Sequence, residues 1–181
     1  MKIQYQLKEK DYHTQLLYIV SQNNTIAQTR VKVRLLLTIS LIIFAIIAYG
    51  NEAKGQTIYF LVLAILVFIF TPLFTRWSYQ KSFLKQVKKY YHDRLSMPTQ
   101  IIFLTNEFEI TDNHGEAKIS AQEIERFIEI NNYIFLLLKV GTSVIIPIYQ
   151  IENQEEVVFE MRKLSINNDI EWKEELNWKW K

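Results

Sequence analysis

The sequence predicts an α+β membrane protein, in which a two-helix transmembrane hairpin is joined to an antiparallel strand-rich domain that ends in a helix. Three observations predict it. Leu35–Tyr49 and Ile58–Thr75 are apolar runs with no charged residue. From Thr99 to Ile148 the hydrophobic residues recur with a period near two, punctuated by turn residues. Lys and Arg gather at the two outer ends of the apolar pair, whereas acids dominate the strand-rich stretch.

The elements follow in order. KIQYQL at residues 2–7 alternates Ile3, Tyr5 and Leu7 with Lys2, Gln4 and Gln6, a short strand pattern. Asp11 is placed to cap a following helix with Leu16, Leu17 and Val20 on one face, and Asn23–Asn24 marks a break before the first span. A bilayer core of about 30 Å needs about 20 helical residues. The second run meets that length; the first meets it once Val31 and Val33 extend it, with Arg30, Lys32 and Arg34 able to snorkel to the headgroups. Neither run carries a polar stripe, and Thr38, Ser40 and Thr71 can bond back to their own helix. Pro72 sits near the expected end of the second span, where a break costs little. The competing reading is a helical hairpin buried in a soluble protein, but 181 residues leave little other material to cover two such helices.

Charge sets the expected orientation. Arg30, Lys32 and Arg34 precede the first span; Arg76, Lys81, Lys85, Lys88 and Lys89 follow the second; the connector Gly50–Thr57 holds only Glu52 and Lys54. The positive-inside rule then puts both termini in the cytoplasm. Tyr49, Tyr59, Trp77 and Tyr79 flank the spans as interfacial aromatics do. The first thirty residues lack the apolar segment of a cleavable signal, so the first span is expected to serve as the insertion signal.

Residues 76–94 read as an amphipathic basic helix, with Trp77, Leu84, Val87 and Tyr91 on one face and Lys81, Lys85, Lys88 and His92 on another. Its basic face either meets anionic lipid, at about 1 kcal/mol per cation at the surface, or is simply solvated. Strands are expected at 101–104, at 108–111 around Phe108 and Ile110, and at 117–120, 123–130, 133–140 and 143–148. Turns fall at Thr105–Asn106, Asp112–Gly115, Asn131–Asn132 and Gly141–Thr142. Pro147 marks an edge or strand end. Asn153, with Glu156 three residues on, reads as the cap of a helix whose buried stripe is Val157, Val158, Met161 and Leu164. The organisation is therefore a strand and helix over 1–30, a hairpin over 31–75 with spans at about 33–50 and 57–75, a basic juxtamembrane helix over 76–95, a strand-rich domain over 96–166 and a Trp/Lys-rich tail over 167–181.

Together KIQYQLKEKDY, TQIIFLTNEFEITDNHGEAKIS and EIERFIEINNYIFLLLKVGTSVIIPIYQI, in this order around the apolar hairpin, resemble the YcxB-like family of small bacterial membrane proteins. The resemblance covers most of the chain but not the tail. It implies a pleckstrin-homology-like C-terminal domain, a bacterial inner-membrane location and no catalytic residue. About seven strands and one helix fit such a barrel, with the hairpin inserted after the first strand. Whether that strand joins the barrel is left open at this level.

Little in the sequence points to catalysis. No cysteine is present, which excludes disulfides, thiolate catalysis and cysteine-bound zinc or iron–sulfur centres. His13, His92 and His114 share no ligand spacing, and His114 falls in a turn. Glu107 with Glu109, and Glu123, Glu125 and Glu129, read as the solvated face of strands rather than as acid–base pairs. Ser120 and Ser143 have no histidine nearby, four glycines form no phosphate loop, and no ionisable residue interrupts either span. No enzyme activity, cofactor, metal or small-molecule substrate is expected.

The overall charge of +2 hides two opposed parts: residues 1–95 carry net +9 and residues 96–169 net −7. So acidic a strand domain disfavours nucleic acid and inositol phosphates. In the tail, Trp172, Trp178 and Trp180 alternate with Lys173, Lys179 and Lys181, and can pack on the protein, touch the membrane or meet a partner. The sequence thus predicts a non-enzymatic, membrane-anchored cytoplasmic interaction module. Its partners are the lipid bilayer and either another protein or a second copy of itself. The second reading is a membrane-resident immunity protein that neutralises a toxin.

Overall fold

The structure is a computed structural model and describes residues 1–95, 97–104, 107–112 and 115–180. The expected turns at Thr105–Asn106 and Asn113–His114, and the exposed position of His114, lie outside the described residues. The chain divides into two compact units, one of Met1–Gln15 with Gln86–Lys179, the other of Leu16–Lys85 with Trp180.

The first unit holds the strands. β1 (Lys2–Gln6), β2 (Pro98–Phe103), β3 (Glu107–Asp112) and β4 (Gly115–Ser120) form an antiparallel sheet in that order. The N-terminal strand therefore does join the sheet, pairing Ile3 with Ile101 and Tyr5 with Thr99. β5 (Ile124–Ile130), β6 (Tyr133–Leu138), β7 (Ser143–Pro147) and β8 (Glu171–Glu174) form the second sheet, in the order β7-β6-β5-β8. Pro147 ends an edge strand, as its missing N–H requires. Gly141 takes a φ of +84° in the turn from β6 to β7, a conformation that glycine adopts without cost.

β8 was not foreseen: no element was assigned to the Trp/Lys-rich tail, yet Glu171–Glu174 lies parallel to β5, with Trp172 opposite Phe127. Between the sheets' strand runs and β8 comes α4 (Gln154–Asn167). Its N-cap is Asn153 as expected, but the Asn153 side chain makes no capping bond; its amide instead donates to Glu156 at 3.2 Å. A capping box is found elsewhere, where Ser120 and Glu123 close a short turn between β4 and β5. Glu123 thus lies before its expected strand, not within it.

The core of this unit draws on both sheets and α4. Ile101, Phe108, Phe127, Ile134, Leu136, Ile146, Val157 and Met161 are all almost completely buried. Each such side chain contributes about 1.5–3 kcal/mol relative to exposure. Tyr5 is the discordant member: its ring is buried in the core, and its hydroxyl has no hydrogen-bond partner among the described residues. Burial pushes this phenol well above the ordinary tyrosine range. Tyr5→Phe should therefore stabilise the protein by about 1 kcal/mol, read as a raised denaturation midpoint; a lowered midpoint would mean that the hydroxyl has a partner.

The second unit is helical. α1 (Glu9–Gln22) passes into it, and Asn23 separates α1 from α2 (Asn24–Gly50), its side chain accepting from the Ile26 N–H. α2 begins nine residues before the expected span because TIAQTRVKVR continues the helix without a break. α3 (Lys54–Tyr90) follows after a three-residue turn, so the connector is shorter than Gly50–Thr57. The expected juxtamembrane helix is the last part of α3, and Pro72 lies inside that helix rather than at a break. Thr38, Ser40 and Thr71 bond back to carbonyls of their own helices, as their place in apolar runs demands.

The turn after α2 is built by hydrogen bonds. Ala53 N–H bonds the Ala48 carbonyl and Glu52 N–H the Tyr49 carbonyl, the pattern that closes many helices, with the left-handed position usually taken by glycine. Glu52 occupies it, at φ +59°. Glu52→Gly should stabilise the hairpin by about 0.5–1 kcal/mol, read as greater resistance of its helical circular dichroism to a denaturing detergent. A loss of stability would indicate that Glu52's side chain holds the turn.

Candidate functional site

Arg76, Lys81, Lys85, Lys88 and Lys89 all lie on α3 and are all exposed. Arg76, Lys81 and Lys85 belong to the helical unit, Lys88 and Lys89 to the strand unit. Spacings of four and three residues put Lys81, Lys85 and Lys88 on one face, and no acid occurs between Glu52 and Asp93 to neutralise them from the same helix. Lys81 rests over the Trp77 ring at 4.8 Å, and Lys88 meets Glu9 at 3.7 Å. The apolar face expected of this segment is only half realised. Val87 is fully buried and the Tyr91 ring lies tilted against Tyr12 with centres 4.3 Å apart, but Trp77 is 55% and Leu84 38% exposed.

The three tail tryptophans have different surroundings. Trp172 stacks on Phe127 with ring centres 5.3 Å apart, and the Arg162 guanidinium lies 5.2 Å from its ring. Its indole N–H donates to Glu129 at 3.1 Å, and Arg162 donates to the same carboxylate oxygen at 2.7 Å. Trp180 belongs to the helical unit, where it is buried, meets Tyr79 edge to face and donates to the Arg76 carbonyl at 3.4 Å. Trp178 is half-buried and bonds through its backbone N–H to the Glu175 carbonyl.

Of the carboxylates expected on a solvated sheet face, Glu123 and Glu125 are exposed and Glu107 and Glu109 half-buried. Glu129 is a correction: it is buried. Alternation fails to expose it because β5 is buried on both faces from Phe127 to Ile130, and Trp172 with Arg162 supplies the polar partners that burial requires.

The most enclosed polar cluster was not foreseen. Asp11 is completely buried. It lies in the first turn of α1, where one carboxyl oxygen accepts the Lys8 N–H at 2.7 Å; its place is thus inside the helix rather than at its cap. The other oxygen accepts the hydroxyls of Tyr133 and Tyr149, each at 2.9 Å. One helical turn on, Gln15 donates to the Ser143 hydroxyl at 2.6 Å. Burial first, and the hydrogen bond to Asp11 second, pushes the Tyr149 phenol up to about 12, and burial with the Asp11 charge pushes Tyr133 higher still. Both oxygens of the Asp11 side chain are thus used, one at the start of α1 and the other in fastening α1 to β6 and the segment after β7, which makes this cluster a structural joint.

Among the described residues no group of three His, Asp or Glu side chains is placed to hold a metal ion. Comparison with protein-family models, with curated proteins and with solved structures found no match to this chain.

Proposed function

We propose that this protein is a non-enzymatic interaction module anchored in a bacterial inner membrane by the α2–α3 hairpin, with both termini cytoplasmic. One observation carries the reading: both helices are long and apolar enough to cross a bilayer, yet only 11% and 6% of their most apolar windows are buried. Core helices of a soluble protein of this size hide such surface; Leu36, Ile46 and Phe74 are each about two-thirds exposed instead. The few buried side chains of these windows are small, with Ala45, Ala48 and Ala64 letting helices approach closely, as in membrane helix pairs.

The positive charges before α2's apolar run and along the end of α3 support the cytoplasmic orientation. The resemblance to the YcxB-like family supports the same topology. Four antiparallel strands, then three more and a helix, is an order consistent with a pleckstrin-homology-like domain. Its acid-rich surface and the free edge of β4 are the surfaces offered to a protein partner, since an unpaired strand edge can accept another strand.

The test is crosslinking and purification of the tagged full-length protein from its native membrane. One protein recovered in stoichiometric amount, and lost when β4 is altered, is the expected result. Recovery of a toxin would carry the immunity reading in its place, and recovery of nothing beyond lipid would contradict an interaction module.

A further inference from the structure

The end strands of the two sheets are not equally open. Gln150 clamps the outer edge of β1, its side chain accepting the Gln6 N–H at 3.2 Å and donating to the Gln6 carbonyl at 2.9 Å. β7 ends in Pro147, and Gln15 of α1 donates to the carbonyl and to the hydroxyl of Ser143. β8 is only four residues long. Such features blunt a sheet edge against pairing with another chain. β4 is six residues long, holds no proline and is exposed from Gly115 to Lys118.

Hydrogen bonding fixes which backbone groups of β4 face outward. β4 pairs with β3 without a register shift, Ala117 opposite Ile110 and Lys118 opposite Glu109. In an antiparallel ladder alternate residues turn their N–H and C=O groups to the partner strand, and the rest turn them away. Ser120 belongs to the second set, because its N–H bonds the Glu123 carboxylate at 2.9 Å. Lys118 and Glu116, two and four residues back, therefore face the same way, and among the described residues no strand lies beyond them.

Charge selects what fits this edge. Glu116 and Lys118 share one face of the strand, with Ala117 between them on the other. If a second β4 runs antiparallel about a two-fold axis at Ala117, Glu116 of each copy falls opposite Lys118 of the other. The outward N–H and C=O groups of both residues are then all bonded across the axis. Moving the axis one residue either way sets Glu116 against itself or Lys118 against itself, like charges directly opposite. Lys118 already pairs with Glu109 of its own β3, so it would sit between two carboxylates of one continuous sheet. β4 is also locally neutral, within a stretch, 96–169, whose net −7 repels a second copy elsewhere.

We propose that β4 pairs antiparallel with β4 of a second copy, joining the two β1–β4 sheets edge to edge. The inference rests on the anchored-module reading above, since confinement to one membrane raises the effective concentration that so short a strand pair needs. The experiment is disulfide crosslinking of single-cysteine variants of the full-length protein in isolated membranes, with copper phenanthroline and oxygen as the oxidant; the chain has no cysteine of its own. At the axis Ala117 would face its own counterpart as a non-hydrogen-bonded pair, about 4.5 Å between Cα atoms, within the reach of a disulfide. Ala117→Cys should give a dimer band about tenfold stronger than Gln122→Cys, which is also exposed but lies outside β4. Added to Ala117→Cys, either Glu116→Lys or Lys118→Glu puts like charges opposite and should lower that band about tenfold. Co-expressed, the two variants meet with unlike charges at both pairs, and their mixed dimer, recognised by tags of different mass, should return to the starting level. Should a charge variant fail to fold by circular dichroism, the comparison of Ala117→Cys with Gln122→Cys decides alone. Equal bands from those two, or a band that the charge variants leave unchanged, would overturn the proposal. Purification of the crosslinked, tagged protein separates this failure from that of the module reading. A different protein recovered, and lost with Glu116→Lys, leaves an interaction module with another occupant at β4; no dimer and no recovered protein ends both.

Discussion

Asp11→Ala should destabilise the strand unit by about 3 kcal/mol, the largest effect expected of any single polar substitution in this chain. The side chain is completely buried and accepts three hydrogen bonds, from Lys8 N–H, Tyr133 and Tyr149. Truncation leaves two phenols and an amide facing a cavity, and the desolvation already suffered by those groups is then uncompensated. Denaturation of the full-length protein in detergent micelles, followed by tryptophan fluorescence, measures it. Asp11→Asn should lose less, because an amide oxygen still accepts. A shift below about 0.5 kcal/mol for Asp11→Ala would show that the joint is solvated.

The same cluster sets a pH dependence. The ordinary tyrosine value is about 10, and Tyr149 in the folded protein is pushed up to about 12 by burial and by its bond to Asp11. Below pH 10 the phenol is protonated in both states and its contribution is fully present. Between 10 and 12 the unfolded chain releases the proton first, so stability falls as pH rises through that window. Tyr133 acts in the same direction. Tyr149→Phe should flatten the decline, with tyrosinate absorbance reporting the missing late titration; an unchanged profile would assign the decline to other groups.

Trp172→Ala should cost about 2–3 kcal/mol and release β8. Three interactions go at once: the stack on Phe127, the contact with Arg162 and the indole donor to buried Glu129. The remaining pairing of β8 with β5 spans only four residues, so the segment after α4 should become open to proteolysis. Leu176→Ala, at a side chain about half exposed, should stay within about 0.5 kcal/mol of wild type. Unchanged stability with weakened vesicle binding in Trp172→Ala would instead mean that this tryptophan serves the membrane.

What could be read from the residues follows the range of the forces involved. The apolar runs, the period-two strands and the residues that stop them are local signals, and α2, α3 and most of β1–β7 lie where those signals put them. α2 begins earlier than the expected span because polar helix formers such as those of TIAQTR propagate a helix without announcing it. β8 was hidden: EWKE has one apolar residue, and what makes it a strand is Phe127, forty-five residues away. Glu129 looked solvated because alternation assumes one wet face, and β5 loses its wet face after Arg126. Asp11 carried a visible helix-start signal, but its tyrosine partners lie 122 and 138 residues along the chain, so the burial that gives the site its weight was invisible. The Arg30–Arg34 pair was legible as charge flanking a span; that it lines a groove depends on Thr71 and Pro72 of the other helix.

Membrane topology is the measurement that bears most directly on the account. The chain has no cysteine, so single cysteines report position against a silent background. Lys54→Cys, at the exposed start of α3, and Glu116→Cys, on exposed β4, would each be treated with a membrane-impermeant thiol reagent in intact bacterial cells. Lys54→Cys should be labelled in intact cells and Glu116→Cys only after permeabilisation. Labelling of both without permeabilisation, or of neither until the membrane is opened, would contradict a hairpin that crosses the inner membrane with its strand unit inside.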